Sequence, residues 1–318
     1  MNTHIEKIDS KKPEIEKIKL AAELIKTGEL VAFPTETVYG LGANALDKNA
    51  VKKIFIAKGR PQDNPLIVHI SNIKQITELV RTIPPKAEKL IRKFWPGPLT
   101  IILKKSKIVP NIVTAGLNSV AIRMPKNKIA LKIIKESGCP IAAPSANSSG
   151  KPSPTSAKHV YEDLDTKIPL IIDGGETEIG IESTVIDLTT KIPRILRPGK
   201  ITEEEIQKII KITKKSHRCK KTKSPGMKYK HYSPEAKIIV VNKKISLKKI
   251  KEQYEKDGKV KIILEKEGTK NTAKNLFKEF RKADKEKVKT IIIRGLKKEG
   301  LGTAIMNRLE KAATKIID

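Results

Sequence analysis

The sequence predicts an α/β protein with an N-terminal, twisted, mixed β-sheet flanked by helices, a basic linker, and a small C-terminal parallel α/β domain of Rossmann-like topology. About eight short apolar runs with few long helical stretches precede residue 200. A lysine-rich segment follows residue 213. Beyond it, apolar runs alternate regularly with amphipathic helical patterns. At 318 residues the chain is long enough for two cores, and we predict domains at 1–213 and 236–318 joined by a linker at 214–235.

The first elements are a helix and a strand. Ile15, Ile18, Ala22 and Ile25 recur at helical spacing, and Gly28 ends that pattern before the apolar run "LVAF". Seven more short runs predict the remaining strands of the first sheet: "LIVHI", "LTIIL", "SVAIRMP", "PIAAP", "PLIID", "STVIDL" and "RIL". Their separation by loops rich in Gly, Pro, Ser and Asn favours a mixed sheet over a regular βαβ repeat.

The end of the first domain is a predicted helix. Thr202 and Glu205 form a capping box that opens it, and the pattern continues to about Thr213. The linker "KKSHRCKKTKSPGMKYKHYSPE" then carries eight lysines and arginines before its first acid. A solvated spacer is the alternative for such a segment. Because "HYSP" contains aromatic rings, hydrogen-bond donors and a proline that stiffens the chain, we predict that the linker is a lid over a neighbouring site.

The second domain is predicted from strict alternation. The runs "KIIVV", "KVKIILE" and "VKTIIIRG" alternate with three amphipathic helical patterns, the last of which is "LGTAIMNRLEKAATKII". Alternating strands and helices give a parallel sheet with right-handed crossovers.

Charge and composition restrict the function classes. A formal net charge of +31 favours phosphate-bearing partners, although a lysine-rich proteome would produce the same balance. Cys139 and Cys219 have neither zinc-ligand nor disulfide spacing. Because the N-terminus lacks a signal-type apolar core and no run of 18 apolar residues follows, we expect a soluble, cytoplasmic protein without membrane partners.

The stretch "IFIAKGRPQDNPLIVHI" places Lys58 and Arg60 two positions apart. If the segment is extended, both side chains point the same way, roughly 7 Å apart, and can reach one polyanion. The alternative is a solvated edge beside a turn. In the strand that follows, His69 shares a face with Ile67, where a structural histidine is the more common outcome.

A second strand repeats this pattern with an arginine. In "SVAIRMP", Ser119, Ala121 and Arg123 share one face. An arginine on a face of small residues points either at a ligand or at a buried carboxylate, and the sequence leaves both open.

The loop "APSANSSGKPSPT" is a candidate anion-binding loop. Two prolines bracket Ser145 and Asn147, and hydroxyls, a carboxamide and backbone N–H groups in a glycine-bearing loop suit phosphate or ribose. An ordinary turn has the same composition. Because no P-loop, nucleophile-elbow or zinc-hydrolase motif occurs, we expect the site to work by positioning its substrates.

Seven blocks in order resemble the family of L-threonylcarbamoyladenylate synthases: "FPTETVYGLG", "KGRPQDNPL", "FWPGPLT", "VAIRMP", "APSANSSGKPSPT", "ESTVID" and "RPG". The resemblance spans roughly residues 21–211 and continues through "SPGMKYKHYSP" and "GLGTAIMNRL", as in the long, two-domain form. It implies that 1–213 is a catalytic domain binding ATP and threonine. The implied reaction condenses L-threonine, bicarbonate and ATP to threonylcarbamoyl-AMP and pyrophosphate, for modification of the adenosine beside the anticodon of certain tRNAs.

The resemblance also implies roles for individual residues. Its K-x-R and S-x-N motifs place Lys58, Arg60, Ser145 and Asn147 in the catalytic, anion-handling set. Residues implied to bind ATP are Arg60, Asn64, Ser119, Ser145, Ser153, Arg197 and Tyr232, the last from the linker. Residues implied to bind threonine are Thr37, His69, Arg123, Ser183 and, through its backbone, Ala143.

Cofactor and partners follow from the same resemblance. Mg²⁺ is expected to accompany ATP, with ligands that the sequence does not identify. The product is expected to pass to a tRNA threonylcarbamoyl-transferase complex, and direct contact with tRNA is left open. The competing hypothesis is a pure RNA-binding module, based on the +31 charge; an aromatic content of 3% and the lack of an RRM or KH signature speak against it.

Overall fold

The computed structural model describes residues 2–213, 232–242, 245–263 and 268–318. The linker predicted at 214–235 is therefore described only from Tyr232 onward, and its predicted role as a lid lies outside the described residues for 214–231. Within the described part of the chain, no helix is long and apolar enough to cross a membrane.

Ten strands form the first sheet, in the order β1-β8-β2-β3-β7-β4-β6-β5-β9-β10. Their bounds are β1 His4–Lys7, β2 Val31–Pro34, β3 Tyr39–Asn44, β4 Ile67–His69, β5 Leu99–Lys104, β6 Ser119–Arg123, β7 Ile141–Ala142, β8 Leu170–Asp173, β9 Thr184–Asp187 and β10 Arg194–Arg197. Neighbours β4 and β6 run parallel, whereas β7 runs antiparallel to both β3 and β4. The predicted mixed sheet is confirmed.

Two strands of this sheet were not predicted. Strand β1 is short and mostly exposed, and its sequence "HIEK" has one apolar residue. Strand β3, "YGLGAN", contains two glycines, which weaken the sequence signal of a strand. It nevertheless pairs with β2 over residues 39–42 and with β7 over residues 43–44, so tertiary pairing decides its conformation.

Eight helices pack on this sheet: α1 Ile15–Lys26, α2 Lys48–Lys58, α3 Lys74–Leu79, α4 Pro85–Phe94, α5 Asn111–Thr114, α6 Lys128–Glu136, α7 Ala157–Leu164 and α8 Glu203–Gln207. The capping box of Thr202 and Glu205 is present at the start of α8. The prediction that this helix continues to about Thr213 is wrong. The chain leaves the helix after Gln207 because Ile210 and Ile212 pack into the core and the backbone N–H of Thr213 bonds the carbonyl of Pro193.

The two faces of the sheet carry different cores. Val68 and Ile122 belong to the largest cluster, which packs against α2, α4 and α7. Ile67 and Ala121, one position away on the same strands, form a small cluster on the opposite face. His69 and Arg123 lie on that second face by the same alternation, and this is where the candidate site is found.

The second domain is a four-stranded parallel sheet in the order β12-β13-β11-β14. Its elements are β11 Lys237–Val241, α9 Leu247–Glu255, β12 Val260–Ile263, α10 Thr269–Lys285, β13 Thr290–Arg294, α11 Leu301–Ala312 and β14 Lys315–Ile317. The predicted parallel α/β domain is confirmed. One detail was wrong: α11 ends at Ala312, and the "KII" assigned to the last helix forms β14 on the sheet edge beside β11.

The two domains share buried contacts. Ile181 of the first domain and Tyr232 both belong to the hydrophobic core of the second. Arg281 on α10 reaches Asp163 on α7, with its Nη2 2.7 Å from Oδ2. The domain boundaries at 213 and 236 stay a prediction. Buried residues of both domains pack against each other in the described part of the chain.

Candidate active site

The candidate site is a pocket on the sheet face that carries His69 and Arg123. The residues that line it are Thr35, Thr37, Val38, Tyr39, Gly40, Arg60, Ile67, His69, Arg123, Ala143, Pro144, Ser145, Glu182, Ser183, Arg197 and Tyr232. Nine of the residues named by the family resemblance are among them. They come from strands β4, β6 and β10, from the loops around 37, 60, 144 and 183, and from Tyr232 beside the second domain.

Arg123 forms one end of the pocket. Its Nη1 donates to Thr37 Oγ1 at 2.9 Å and its Nε donates to the Gly97 carbonyl at 3.3 Å. Its Nη2 lies 2.7 Å from Glu36 Oε1, in ion-pair contact without hydrogen-bond geometry. The two interpretations left open by the sequence therefore both apply, because Arg123 has a buried carboxylate neighbour and also lines the pocket.

His69 lies beside Arg123 and is buried. Burial, and next the charge of Arg123, lower the pKa of His69 to about 3. The imidazole is therefore neutral at physiological pH. Because its Nδ1 is buried without a hydrogen-bond partner, it offers a polar atom to whatever fills this end of the pocket.

Arg60 stands on a tight turn at the end of α2. Gly59 caps that helix in the left-handed conformation, with φ 59° and ψ 37°, a geometry that favours glycine. The premise that Lys58 and Arg60 lie on an extended segment is therefore wrong. Arg60 Nη2 donates to the carbonyls of Asn64 and Pro65, while its buried Nε has no hydrogen-bond partner.

Lys58, the last residue of α2, holds the loop of the S-x-N motif, residues 145–147, through hydrogen bonds to its backbone. Its buried Nζ donates to the carbonyls of Ser145 and Asn147, and burial holds its pKa well below the usual value. Ser145 Oγ donates to Asn147 Oδ1 at 2.5 Å, and Asn147 Nδ2 donates to the carbonyls of Ser148 and Lys151. Of these groups, Ser145 lines the pocket, whereas Lys58 and Asn147 fix the loop that carries it.

Ser183 and Arg197, which both line the pocket, are hydrogen-bonded to each other. Arg197 donates to the Ser183 carbonyl through Nε and to its hydroxyl through Nη2, both at 3.0 Å. Ser183 Oγ also lies 2.7 Å from Thr100 Oγ1 on β5. This chain of contacts fixes the buried guanidinium of Arg197 at the pocket wall.

Tyr232 closes the pocket on the side of the second domain. It is 5% exposed, and its ring stacks on Phe277 of α10 with centroids 5.4 Å apart. The guanidinium of Arg308 on α11 lies 5.7 Å from the same ring. The second domain therefore holds this tyrosine in place, and Tyr232 reaches the pocket as the resemblance implied.

Three other residues implied to bind ATP lie outside the lining. Asn64 is buried beside Arg60, with Oδ1 lacking a hydrogen-bond partner. Ser153 Oγ donates to Glu182 Oε1 at 2.5 Å. Ser119 lines a separate surface depression with Arg81 and Lys104. Their roles stay predictions.

Sequence reasoning missed three charged residues of this region: Glu36, Glu182 and Arg308. The first two stand inside quoted blocks, "FPTETVYGLG" and "ESTVID", and the third inside "GLGTAIMNRL". The signal that could have found them is burial of charge, since an acid within an apolar block needs a cation nearby. Which cation it finds depends on contacts 126 residues apart in the case of Glu182 and Arg308.

The charges of the pocket suit an anion. Arg60, Arg123 and Arg197 line it, against one lining carboxylate, that of Glu182. Within the described residues, no cluster of three or more His, Cys, Asp or Glu side chains could hold a metal ion. Guanidinium groups around one pocket are able to bind two anions and bring them together.

Comparison with known proteins gives the relatives of this chain. Residues 23–199 match the family described as Telomere recombination, and residues 201–314 match Threonylcarbamoyl-AMP synthase, C-terminal domain. The chain is 52% identical to the threonylcarbamoyl-AMP synthase of Pyrococcus abyssi over 93% of this chain and 94% of that protein. It is 48% identical to that of Bacillus subtilis, over 93% and 92%. The structure of P. abyssi Sua5 complexed with L-threonine covers 99% of both chains with a TM-score of 0.94 and 50% identity.

Proposed function

This chain belongs to the threonylcarbamoyl-AMP synthase family in its two-domain form, and from that premise we propose that it condenses L-threonine, bicarbonate and ATP to threonylcarbamoyl-AMP and pyrophosphate. It is an enzyme of the transferase type, so the hypothesis of a pure RNA-binding module is wrong. The observation that carries the proposal is the pocket itself, which is lined by three arginines.

Threonine is proposed to lie at the Arg123 end. A guanidinium that already has one donor on Thr37 can grip a carboxylate with its remaining N–H groups. Neutral His69, the hydroxyl of Ser183 and the backbone of Ala143 then surround the amino-acid end. A solved relative that is 50% identical to this chain was crystallised with L-threonine, which supports this part of the proposal.

ATP is proposed to lie between Arg60, Ser145, Arg197 and Tyr232, with Asn64, Ser119 and Ser153 as further contacts. Burial lowers the pKa of Arg60 to about 10, so the guanidinium stays protonated at neutral pH. Its Nε–H, which has no hydrogen-bond partner, is proposed to donate to a phosphate oxygen. Lys58 and Asn147 act by fixing the loop of Ser145.

The reaction needs no nucleophile from the enzyme. The threonine amine adds to the carbon of bicarbonate and loses water to give a carbamate. A carbamate oxygen then attacks the α-phosphorus of ATP, and pyrophosphate leaves with the electron pair of the broken P–O bond. Both reactants are anionic, so the arginines lower the repulsion between them and stabilise the charge that develops on the leaving group.

Mg²⁺ is proposed to enter with ATP. The lining carboxylate of Glu182 is bonded to Ser153 and Arg308, and the nearby Glu36 is in contact with Arg123, so these acids do not form a ready magnesium cage. Phosphate oxygens of ATP and water are the expected ligands, and the ion would supply charge neutralisation. Transfer of the product to a tRNA-modifying complex and a cytoplasmic location also stay proposals.

Release of pyrophosphate tests the function. We expect release by the purified full-length chain only when ATP, L-threonine and bicarbonate are all present, with a product mass equal to threonylcarbamoyl-AMP. L-serine, which lacks one methyl group, is the matched control for the amino acid. Equal release without threonine, or without bicarbonate, would contradict the proposal.

A further inference from the structure

Arg308 is an arginine of the second domain that is fully buried in the wall of the first. It has 0% exposure. From helix α11 its Nε donates to Glu182 Oε2 at 3.0 Å, and its Nη1 donates to the Pro198 carbonyl at 2.5 Å. It also lies over the Tyr232 ring. One side chain thus contacts the segments that carry Ser183, Arg197 and the lining tyrosine.

Its partner Glu182 places a negative charge in a pocket built for anions. Burial by itself raises the pKa of Glu182, but Arg308 and then Arg197 outweigh it, so the net shift is downward and the carboxylate stays ionised. A bare carboxylate here would repel a triphosphate. The charge is tolerable only while a cation and Ser153 hold it.

Two further cations face this carboxylate. Arg197 is the lining residue expected to meet ATP, and Lys311, also on α11, has its pKa lowered to about 8 by burial and next by Arg308. Without Arg308, the attraction between Glu182 and Arg197 would compete with the two hydrogen bonds that hold Arg197 on Ser183.

We propose that Arg308 is a positioning residue of the nucleotide site, supplied by the second domain, which neutralises Glu182, holds Tyr232 and keeps Arg197 available for the phosphates of ATP. The proposal rests on the proposed function for the identity of the anion. It gives the second domain a direct part in the site: the first domain alone has an acidic group in its anion pocket, and the second supplies the matching cation.

The test is a double-mutant cycle on the full-length chain. Arg308→Gln, Glu182→Gln and the double variant are compared with wild type for the KM of ATP, the KM of threonine, kcat and the melting temperature. Arg281→Gln, alone and combined with Glu182→Gln, is the control for domain contact, because Arg281 is also a buried arginine of the second domain paired with a first-domain acid. Lys278→Gln removes an exposed cation of the same interface.

We expect Arg308→Gln to raise the KM of ATP about tenfold or more, as loss of a charge-assisted contact does, with a smaller change for threonine. Glu182→Gln should restore most of that loss in the double variant, because the repelling carboxylate is gone. Glu182→Gln should not reverse any rise in the KM of ATP that Arg281→Gln causes. Lys278→Gln should leave the KM values of ATP and threonine unchanged.

Two outcomes would overturn the inference: an unchanged KM of ATP in Arg308→Gln, or a loss that Glu182→Gln fails to restore. If Arg308→Gln does not fold, Arg308→Lys and Arg281→Lys are measured instead, with rescue by Glu182→Gln as the same readout. A wild-type chain that releases no pyrophosphate would instead contradict the proposed function. The two failures are therefore distinguishable.

Discussion

At the scale of single residues, the amino-acid end of the pocket depends on where Arg123 directs its N–H groups. Thr37 Oγ1 accepts from one of them and lies 2.8 Å from Thr35 Oγ1, inside a buried network. Thr37→Val keeps the volume and removes the acceptor. We expect it to raise the KM of threonine about tenfold and to cost about 1–3 kcal/mol of stability, since a buried donor loses its partner.

Thr37→Ser is the matched control because it keeps the hydroxyl. The KM of threonine is measured by pyrophosphate release, and stability by urea unfolding. A loss of stability in Thr37→Val with a normal KM for threonine would mean that Thr37 serves the fold alone.

Arg60 allows a sharper test of the nucleotide end. Its Nε has no hydrogen-bond partner, and Gly59 fixes the turn from which it projects. Arg60→Ala should lower turnover about tenfold or more at saturating ATP, because a cation that stabilises developing charge is lost. Arg60→Lys keeps the positive charge but lacks the planar guanidinium, so its turnover should lie between those of Arg60→Ala and the wild type. Unchanged pyrophosphate release in Arg60→Ala would refute this role.

His69 makes stability depend on pH. Its pKa is about 3 in the folded chain against an ordinary 6.5, so below pH 6.5 the unfolded state binds a proton that the folded state does not. Stability should therefore be lost as pH falls from about 6.5 toward 3. His69→Gln should flatten the dependence of the melting temperature on pH in this window. An equally steep curve for the variant would show that other groups, such as His159, control it.

The residue-scale predictions from sequence succeeded where strand alternation applies. His69 was placed on the face of Ile67, and Arg123 on the face of Ser119 and Ala121, and both His69 and Arg123 line the pocket. Lys58 and Arg60 were given an extended geometry that the structure contradicts, because "FIAK" continues α2 to Lys58 and Gly59 then reverses the chain. A helix that ends in a glycine and a strand that begins before one give similar local patterns, so only the tertiary packing of α2 distinguishes them.

At the scale of elements, the approach of two loops determines the wall of the pocket. Gly199, in the "RPG" that follows β10, lies so close to the start of β9 that an added Cβ would be 2.4 Å from the Thr184 nitrogen and 2.6 Å from the Ser183 carbonyl carbon. The sequence shows the "RPG" block but not why it needs a glycine, because Ser183 and Thr184, which Gly199 approaches, are distant along the chain.

Gly199→Ala should therefore push Arg197 away from Ser183. We expect the free energy of unfolding to fall by about 1–3 kcal/mol, as at other overpacked positions, and the KM of ATP to rise. Gly138→Ala is the control: its φ of +66° strains any side chain, but the added Cβ meets no atom within 4 Å and lies at the end of α6. Equal KM values for the two variants would contradict the steric explanation.

At the scale of the whole molecule, the two domains behave as one packed unit in the described residues. Composition and strand alternation predicted both domains, because each has its own local pattern. Their contacts could not be predicted, since Ile181 packs in the core of the second domain and Glu182 pairs with Arg308 far along the chain. Local periodicity carries no information on which buried acid meets which buried base.

The pair of Arg281 and Asp163 tests how strongly this unit is joined. Both side chains are buried, at 6% and 1% exposure, whereas Lys278 and Glu176 form a cross-domain pair at 46% and 52% exposure. Breaking a buried pair costs about 3–5 kcal/mol when a charge is left without a partner, and an exposed pair is worth about 0–1 kcal/mol. Without Arg281, Asp163 keeps, among the described residues, only the half-exposed Lys151, whose Nζ lies 3.4 Å away, as a cationic partner. Arg281→Met should therefore destabilise the chain in urea far more than Lys278→Met. Added salt should change the destabilisation by Arg281→Met little, because buried charges are weakly screened. Similar, small losses of stability in both variants would mean that the apolar contacts around Ile181 and Tyr232 hold the domains together. The buried ion pair would then only set the orientation of the two domains.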